Sequence, residues 1–271
     1  MSEADSAFTG KIPALYDQHM GPMLFQPYAA DMARRLQWLT AGHLLETAAG
    51  TGIVTHALAA ALPEAVAITA TDLNQPMLDS AAQKPGTARV TWRQADAQVL
   101  PFADRGFDAV VCQFGVMFFP DKAAAYREAL RVLRPGGQFL FSVWSALERS
   151  PIAQTVHESV AALFPADPPG FLARTPHGYH DIAAISAALG AAGFVSIAAE
   201  RRSERSRSPA ARDPALAFCQ GTPLRGEIEA RDPARLDEAT EAAARALRER
   251  FGGGAIEAPM EAIIFSCVRP G

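Results

Sequence analysis

The chain has 271 residues, which suits one large domain or one domain with a modest cap. Apolar residues make up 49% and charged residues 20%, the ordinary balance of a globular protein, so a core can form without disulfides or a metal. The net charge of −4 argues against nucleic-acid binding, because phosphate recognition needs a clustered basic surface.

The three cysteines, Cys112, Cys219 and Cys267, are far apart and include no C-x-x-C pair, so neither a metal site nor a disulfide framework is expected. The first residues are polar and acidic and lack the pattern of a signal peptide. No apolar run reaches the ~18 residues that a membrane span needs. We therefore expect a cytoplasmic protein without a membrane span, and a homodimer is compatible with the sequence.

Apolar spacing predicts helices and strands that alternate through the first half of the chain. The predicted strands are, in chain order, 43–47, 65–71, 89–93, 107–112, 138–144, 194–199 and 262–268. The predicted helices are 28–39, 54–62, 77–83, 126–133, 182–192 and 233–250. Residues 151–180 are expected to form a helix and an irregular excursion. An Arg-Pro-Gly-Gly sequence at 134–137 is a strong helix stop, and the arginines of 201–207 are expected on an edge strand and its loop.

Strands that alternate with helices at this pitch indicate βαβ units and a parallel sheet. Right-handed crossovers place the carboxyl ends of the parallel strands at one rim, and ligands of such sheets bind near that rim. The sequence therefore predicts a doubly wound α/β fold with a binding site at the carboxyl ends of its first strands.

A glycine turn follows the first predicted strand. Gly50 and Gly52 let the backbone turn tightly and approach a ligand closely, and the N–H groups of the next helix can face a polar ligand. Asp72 ends the second strand, 22 residues after Gly50, where a carboxylate can accept hydrogen bonds from both hydroxyls of a ribose. The turn and the acid together predict a nucleoside site.

Two details favour S-adenosylmethionine over a dinucleotide. Thr55 stands where the third glycine of G-x-G-x-x-G would pack the helix around a pyrophosphate. Glu46, just before the turn, would repel a pyrophosphate but suits a ligand that carries an ammonium and a sulfonium.

These motifs resemble those of the class I S-adenosylmethionine-dependent methyltransferases, most closely the branch of the ubiquinone/menaquinone-biosynthesis methyltransferases. The runs that carry the resemblance are Glu46-x-Ala48-x-Gly50-Thr51-Gly52, Asp72-Leu73-Asn74-x-x-Met77-Leu78, Ala95-Asp96-Ala97, Leu100-Pro101-Phe102, residues 107–115 and Leu133-Arg134-Pro135-Gly136-Gly137. The similarity is strong over 40–145, weaker at 12–17 and 191–194, and says little about 145–180 and 205–255.

The resemblance implies a Rossmann-like sheet of seven strands, mostly parallel with the last strand antiparallel, and a helical cap from inserted segments. We expect a single methyltransferase domain over 1–271. Within it, 1–40 would supply lid helices, 40–145 the cofactor-binding core, and 145–180 with 205–255 the cap of the acceptor pocket.

The resemblance also assigns the cofactor site position by position. Asp72 would hold the ribose hydroxyls, Leu73 and Met77 would flank the adenine, and Asp96 would accept from its exocyclic amine. The full set of expected cofactor-binding residues is Glu46, Ala48, Gly50, Thr51, Gly52, Asp72, Leu73, Met77, Asp96, Ala97, Gln113 and Phe114. Glu46-Thr47-Ala48 departs from the more glycine-rich form of this turn, and we expect that departure to alter affinity little.

The expected reaction is in-line methyl transfer from S-adenosylmethionine to a small-molecule acceptor, with S-adenosylhomocysteine as the product. The acceptor atom stays open among O, N, S and C. A base is needed only where the acceptor must lose a proton, and the candidates are His157, Tyr179 and Tyr16. An NAD(P)-dependent oxidoreductase and a non-catalytic protein of the same fold are the alternatives; the first would need the missing glycine and a catalytic Tyr-Lys pair or histidine.

Overall fold

The computed structural model describes residues 16–271 of the chain, with side chains from residue 19 onward. The weak similarity predicted at Ile12 and Pro13, and the first part of the expected lid segment, lie outside the described residues.

Seven strands form one sheet. Their bounds are β1 Gly42–Glu46, β2 Val66–Asp72, β3 Val90–Gln94, β4 Phe107–Gln113, β5 Leu133–Trp144, β6 Val195–Ser208 and β7 Ile256–Val268. Their order across the sheet is β3-β2-β1-β4-β5-β7-β6. The strands from β3 to β5 pair in parallel with their neighbours. This arrangement confirms the predicted seven-stranded α/β sheet.

The last strand, β7, runs antiparallel to β5. The Gly136 N–H donates to the Arg269 carbonyl over 3.0 Å near the start of β5, and the Ser145 N–H donates to the Glu261 carbonyl over 3.0 Å just past its end. Because residue numbers rise along one strand as they fall along the other, the pairing is antiparallel. The orientation implied by the resemblance is thus confirmed.

Eleven helices of four residues or more are described. They are α1 Tyr16–Phe25, α2 Gln26–Arg35, α3 Ile53–Ala61, α4 Gln75–Ala82, α5 Lys122–Val132, α6 Pro151–Leu163, α7 Phe171–Arg174, α8 Ile182–Ala192, α9 Arg212–Gln220, α10 Leu224–Arg231 and α11 Leu236–Phe251. None of these helices of residues 16–271 is long and apolar enough to cross a membrane.

The chain divides into two compact units. The first, here the sheet unit, comprises 28–143, 180–202 and 262–271; the second, here the helix unit, comprises the residues up to Pro27 together with 144–179 and 203–261. Strands β5, β6 and β7 contribute residues to both units. In the helix unit, α11 packs against α6 and α9, and the Arg250 guanidinium donates to the Thr155 hydroxyl over 2.9 Å.

The core of the sheet unit follows from its strand sequences. Residues 109–112 of β4, Ala-Val-Val-Cys, are all fully buried, as are Leu44 and Leu45 of β1. Such unbroken apolar runs are expected of parallel strands, because helices cover both faces of the sheet. Val54 and Leu58 of α3 are buried as well.

Several element boundaries differ from the sequence prediction, and β7, predicted at 262–268, begins earlier, at Ile256. Helix α2 ends at Arg35 rather than near residue 39, because Leu36 and Leu39 close turns of three residues instead. Strand β5 was predicted to begin at residue 138 but begins at Leu133, so it includes the Arg-Pro-Gly-Gly segment that was predicted to end the preceding helix. That segment is extended because Gly136 and Gly137 form backbone hydrogen bonds with Arg269.

Strand β6 was predicted to end at residue 199, but it continues to Ser208. Its second half is held by charge pairs, since Arg205 and Arg207 both donate to the Glu257 carboxylate of β7 over 2.5 and 2.8 Å. Opposite charges across neighbouring strands stabilise a ladder. Helices α9 and α10 were not predicted at all, because α10 buries only Leu224 and Ile228 and α9 follows a strand rich in arginine.

Arg89 closes the carboxyl end of α3. Its guanidinium donates to four backbone carbonyls, those of Ala59 and Leu62 at 2.8 Å, Pro63 at 2.8 Å and Val66 at 3.0 Å. The last carbonyls of a helix have no partner within it, and a cation there also interacts favourably with the helix dipole.

We expect Arg89→Lys to lower the free energy of unfolding by about 1–2 kcal/mol. The single ammonium of a lysine cannot reach all four carbonyls that the planar guanidinium of Arg89 contacts. Urea denaturation of the variant measures the change. Arg225→Lys is the matched control, since Arg225 forms an ion pair with Glu229 on one surface helix, and such pairs contribute little. Equal losses in the two variants would contradict the capping role of Arg89.

Candidate cofactor site

The carboxyl ends of the first four strands meet at one rim of the sheet unit. Glu46 ends β1 and pairs in register with Ala70 of β2 and Val111 of β4. Asp72 ends β2 opposite Gln94, the last residue of β3. The predicted cofactor residues all belong to these strands or to the segments that follow them, so the topology gathers them at this rim.

The glycine turn is tied to the end of β2. The Ala49 N–H donates to the Thr71 carbonyl over 2.9 Å, and the Gly50 N–H donates to the Asp72 Oδ2 over 2.8 Å. Gly50 has a φ of +55°, and a Cβ added there would meet no atom within 4 Å. The turn is therefore open at Gly50, where a ligand can approach the backbone.

Gly52 has a different role from Gly50. A Cβ on Gly52 would lie 2.9 Å from the Ala81 Cβ and 3.1 Å from the Trp92 Cη2. Gly52 is needed because α4 and β3 pack closely against the turn, whereas Gly50 faces open space. The two glycines of the motif are thus required by different contacts.

Asp72 is almost fully buried, and its carboxylate is oriented by the backbone. Its Oδ1 accepts hydrogen bonds from the Asn74 N–H over 2.8 Å and from the Asn74 Nδ2 over 3.3 Å, while its Oδ2 accepts from Gly50. Burial raises the pKa of Asp72, and the hydrogen bonds from Asn74 and Gly50 oppose that shift. A carboxylate fixed in this way at the rim suits the hydroxyls of a ribose.

Glu46 is a second buried acid, with 2% of its surface exposed. Its Oε2 accepts from the Thr55 Oγ1 over 2.6 Å, and its carbonyl accepts from the Thr71 Oγ1 over 3.0 Å. Burial raises the pKa of the Glu46 carboxyl to about 8, although the hydrogen bond from Thr55 lowers it. A cation beside this group would favour its ionised form, because opposite charges attract strongly where water is excluded.

Asp96 follows β3 and is held by a residue that the sequence prediction missed. The Gln98 N–H donates to the Asp96 Oδ1 over 2.8 Å, and the Gln98 Nε2 donates to both carboxylate oxygens over 3.0 and 3.1 Å. Gln98 Oε1 in turn accepts from the Asp121 N–H over 2.8 Å. The spacing of Asp96 and Gln98 fits an Asx turn, and this signal could have identified Gln98 as the partner of Asp96. Ala97, between them, is half-buried.

Leu73 and Met77, the predicted adenine neighbours, differ in exposure. Leu73 is 51% exposed, while Met77 of α4 is buried, with 3% of its surface exposed. An apolar side chain exposed beside Asp72 is suited to cover the face of a planar base. Thr51, in the turn, is buried, and its carbonyl accepts from the Lys84 Nζ over 2.9 Å.

Gln113 and Phe114 lie at the end of β4. Phe114 has a φ of +55°, which is unusual for an aromatic residue. Its N–H donates to both the carbonyl and the hydroxyl of Ser142, over 3.1 and 3.2 Å. Its ring meets the Tyr28 ring edge-on, with the centroids 5.3 Å apart. No sequence signal identified Ser142 or Tyr28 as partners of this turn.

The three catalytic candidates belong to the helix unit. His157 lies in α6, Tyr179 follows α7, and Tyr16 begins α1, although the Tyr16 side chain is not among those described. The Nδ1 of His157 is buried and has no hydrogen-bond partner among the described residues. The cofactor candidates are therefore grouped in one unit and the catalytic candidates in the other.

Comparisons with known proteins agree with this geometry. Residues 45–141 match the family model of the methyltransferase domain. Over 107 residues, 38% of this chain and 42% of the relative, the chain is 36% identical to the ubiquinone/menaquinone biosynthesis C-methyltransferase UbiE of Geobacter sulfurreducens. The chain thus spans less than half the length of this relative.

Two solved structures share the fold. A Bacillus halodurans C-125 methyltransferase structure aligns with a TM-score of 0.57 and 22% identity, covering 89% of this chain and 99% of that one. Haemonchus contortus phosphoethanolamine N-methyltransferase 2, solved in complex with S-adenosyl-L-methionine, aligns with a TM-score of 0.53 and 13% identity, covering 97% of this chain and 61% of that one. At these identities the likeness shows the Rossmann-like fold alone.

The family match runs from the end of β1 into β5 and so includes the turns that build the rim. The predicted resemblance is confirmed: residues 45–141 match the model of a methyltransferase domain, and the chain resembles the UbiE branch of the class I S-adenosylmethionine-dependent methyltransferases.

Proposed function

We propose that this protein transfers a methyl group from S-adenosylmethionine to a small-molecule acceptor. The observation that carries the proposal is the open turn at Gly50, whose N–H is joined to the Asp72 carboxylate over 2.8 Å. This pairing offers a close backbone approach and a ribose acceptor side by side. The match to a methyltransferase domain over the same residues supports it.

The residues at the rim fit S-adenosylmethionine, which would supply a methyl group on a sulfonium. Asp72 would accept hydrogen bonds from the ribose hydroxyls, and Asp96, held by Gln98, would accept from the adenine amine. Leu73 would cover the adenine face. Glu46, buried and without a full charge of its own near neutral pH, would be ionised by the cationic methionine end of the cofactor.

Methyl transfer requires mainly that the donor and the acceptor are aligned. The protein must hold the donor methyl and the acceptor atom in line at about 3–3.5 Å and keep water away. A side-chain base is required only when the acceptor is an alcohol, a phenol or an acidic carbon. We infer that the segments 145–180 and 205–255 bind the acceptor. The buried, unpartnered Nδ1 of His157 in α6 supports a polar role in this part of the chain.

A cytoplasmic location and a homodimer belong to the same proposal.

A nicotinamide-dependent oxidoreductase is the weaker alternative. The position of the third glycine holds Thr55, whose hydroxyl is engaged by the buried Glu46 over 2.6 Å. A pyrophosphate beside that carboxyl would require the acid to stay protonated. No feature described at this site therefore favours a dinucleotide over S-adenosylmethionine.

The proposal is tested by incubating the protein with deuterated-methyl S-adenosylmethionine and a deproteinised metabolite extract. Mass spectrometry should find one metabolite that gains a labelled methyl group, together with S-adenosylhomocysteine. Binding of S-adenosylmethionine without any labelled product from extracts of several sources would favour a non-catalytic protein.

Asp72→Asn is expected to weaken binding of S-adenosylmethionine and S-adenosylhomocysteine by roughly tenfold or more, because a neutral amide replaces the charged acceptor of two hydroxyls. Isothermal titration calorimetry measures both affinities. Asp79→Asn, at an exposed site on α4, is the control and should bind both ligands as the unaltered protein does. Tight binding of NADH with no binding of S-adenosylmethionine would reverse the choice between the two enzyme classes.

Glu46 should make the ligand-free protein less stable as the pH rises. Its pKa is raised from 4.5 to about 8, so the folded state holds the proton more tightly than the unfolded state does. This contribution is fully present below pH 4.5 and is lost as the pH passes 8. Glu46→Gln should therefore melt a few degrees above the unaltered protein at about pH 9, with the gap narrowing towards about pH 5. Glu64→Gln, at an exposed position, is the control. A difference in melting temperature between Glu46→Gln and the unaltered protein that stays the same at all pH values would refute the prediction.

His157→Ala and Tyr179→Phe are expected to lower the turnover of the labelled product while leaving the affinity for S-adenosylmethionine unchanged, since both residues belong to the helix unit. A loss of a general base lowers the rate by about 10²–10⁴. Single-turnover transfer and calorimetry separate the two effects. Unchanged turnover in both variants would remove them as catalytic candidates.

A further inference from the structure

Two residues of the rim have a backbone conformation that L-amino acids rarely adopt. Ala48 has a φ of +54° and Phe114 a φ of +55°, and only Arg105 and Ser196 share this property among the other non-glycine residues that the structure describes. A left-handed conformation disfavours any residue with a Cβ, and it persists only where the surroundings enforce it. Such residues cluster at functional sites.

Ala48 is the unexpected choice within its own turn. Gly50 and Gly52 also have positive φ values, +55° and +79°, and both are glycine. If only the backbone conformation mattered, glycine would be the more stable residue at position 48 as well. The backbone conformation therefore does not explain the methyl group of Ala48, so the contact of that methyl group matters.

That contact is with the backbone of Gly115. A Cβ added to Gly115 would lie 2.5 Å from the Ala48 Cβ and 2.7 Å from the Cys112 Sγ, so no side chain fits there. The Ala48 methyl thus rests directly on the turn formed by Phe114 and Gly115. Cys112 is fully buried, and burial raises the pKa of its thiol to about 12, which leaves it a neutral filler.

The same turn is held on its other side by Ser142 and Tyr28. Ser142 accepts from the Phe114 N–H through both its carbonyl and its hydroxyl. The Tyr28 ring packs edge-on against Phe114, and the Tyr28 hydroxyl donates to the Arg202 carbonyl over 3.2 Å. Ala48 therefore connects this turn to the glycine turn after β1, as does the Cys112 thiol, which interacts with both Thr47 and the Gly115 backbone.

We propose that Ala48 is a positioning residue whose methyl group braces the Phe114–Gly115 turn in the geometry that receives S-adenosylmethionine, since the resemblance places Phe114 among the cofactor-binding residues. The inference rests on the proposed function. Without the brace, the turn would occupy its binding-competent conformation for a smaller fraction of the time. The apparent affinity would then fall in proportion to that fraction.

The test is Ala48→Gly, which removes the methyl and relieves the backbone. We expect the melting temperature of the ligand-free protein to rise by about 2–4 °C. We expect the affinity for both S-adenosylmethionine and S-adenosylhomocysteine to fall by roughly five- to tenfold, with slower association, because the competent population is reduced. A more stable protein that binds more weakly is an outcome that a purely structural role would not produce.

Ser196→Gly is the matched control, since Ser196 has a φ of +51° in β6, away from the rim. It should raise the melting temperature and leave both affinities unchanged. Gly115→Ala should weaken binding, and the double variant Ala48→Gly with Gly115→Ala should recover part of that loss, because one of the two close contacts is then removed.

The outcomes are distinct. If Ala48→Gly binds both ligands as tightly as the unaltered protein, or melts at a lower temperature, the brace is refuted while the proposed function stands. If the unaltered protein binds neither S-adenosylmethionine nor S-adenosylhomocysteine, the proposed function fails, and the brace fails with it.

Discussion

The site depends on one hydrogen bond between neighbouring strand ends. The Gly50 N–H and the Asp72 Oδ2, 2.8 Å apart, join the turn after β1 to the end of β2. This bond fixes the direction of the carboxylate and the path of the turn together, so neither can move alone. The parallel register of β1 and β2 makes the bond possible, because it brings two positions far apart in sequence to the same rim.

Two buried acids, Glu46 and Asp72, lie close enough for their charges to oppose each other. Keeping both ionised in the absence of a cation would be unfavourable, because water is excluded from them. The arrangement is suited to a ligand with hydroxyls at one end and positive charge at the other. The selectivity expected of the site is therefore electrostatic as well as steric, which the shape of a glycine turn alone does not provide.

The sequence was sufficient to place a site residue where its residue type and its position along one strand determine its location. Gly50, Gly52 and Asp72 could be placed at the rim because the ends of parallel strands are encoded locally by apolar runs and turn residues. The partners of the site could not be predicted, since Ser142 meets Phe114 only through the register of β4 and β5. The contact of Ala48 with the Phe114–Gly115 turn could not be predicted either, because the glycine-rich motif does not indicate how close the turn after β1 lies to the turn after β4.

Strand β6 ends the sheet and is exposed along most of its 14 residues. A long edge of this kind offers unpaired backbone groups to any other strand, and apolar edges of this length promote aggregation. Here the pairing of Arg205 and Arg207 with Glu257 lines the edge with fixed charge. A second strand that approached would have to strip water from these groups, and that cost disfavours strand pairing at this edge.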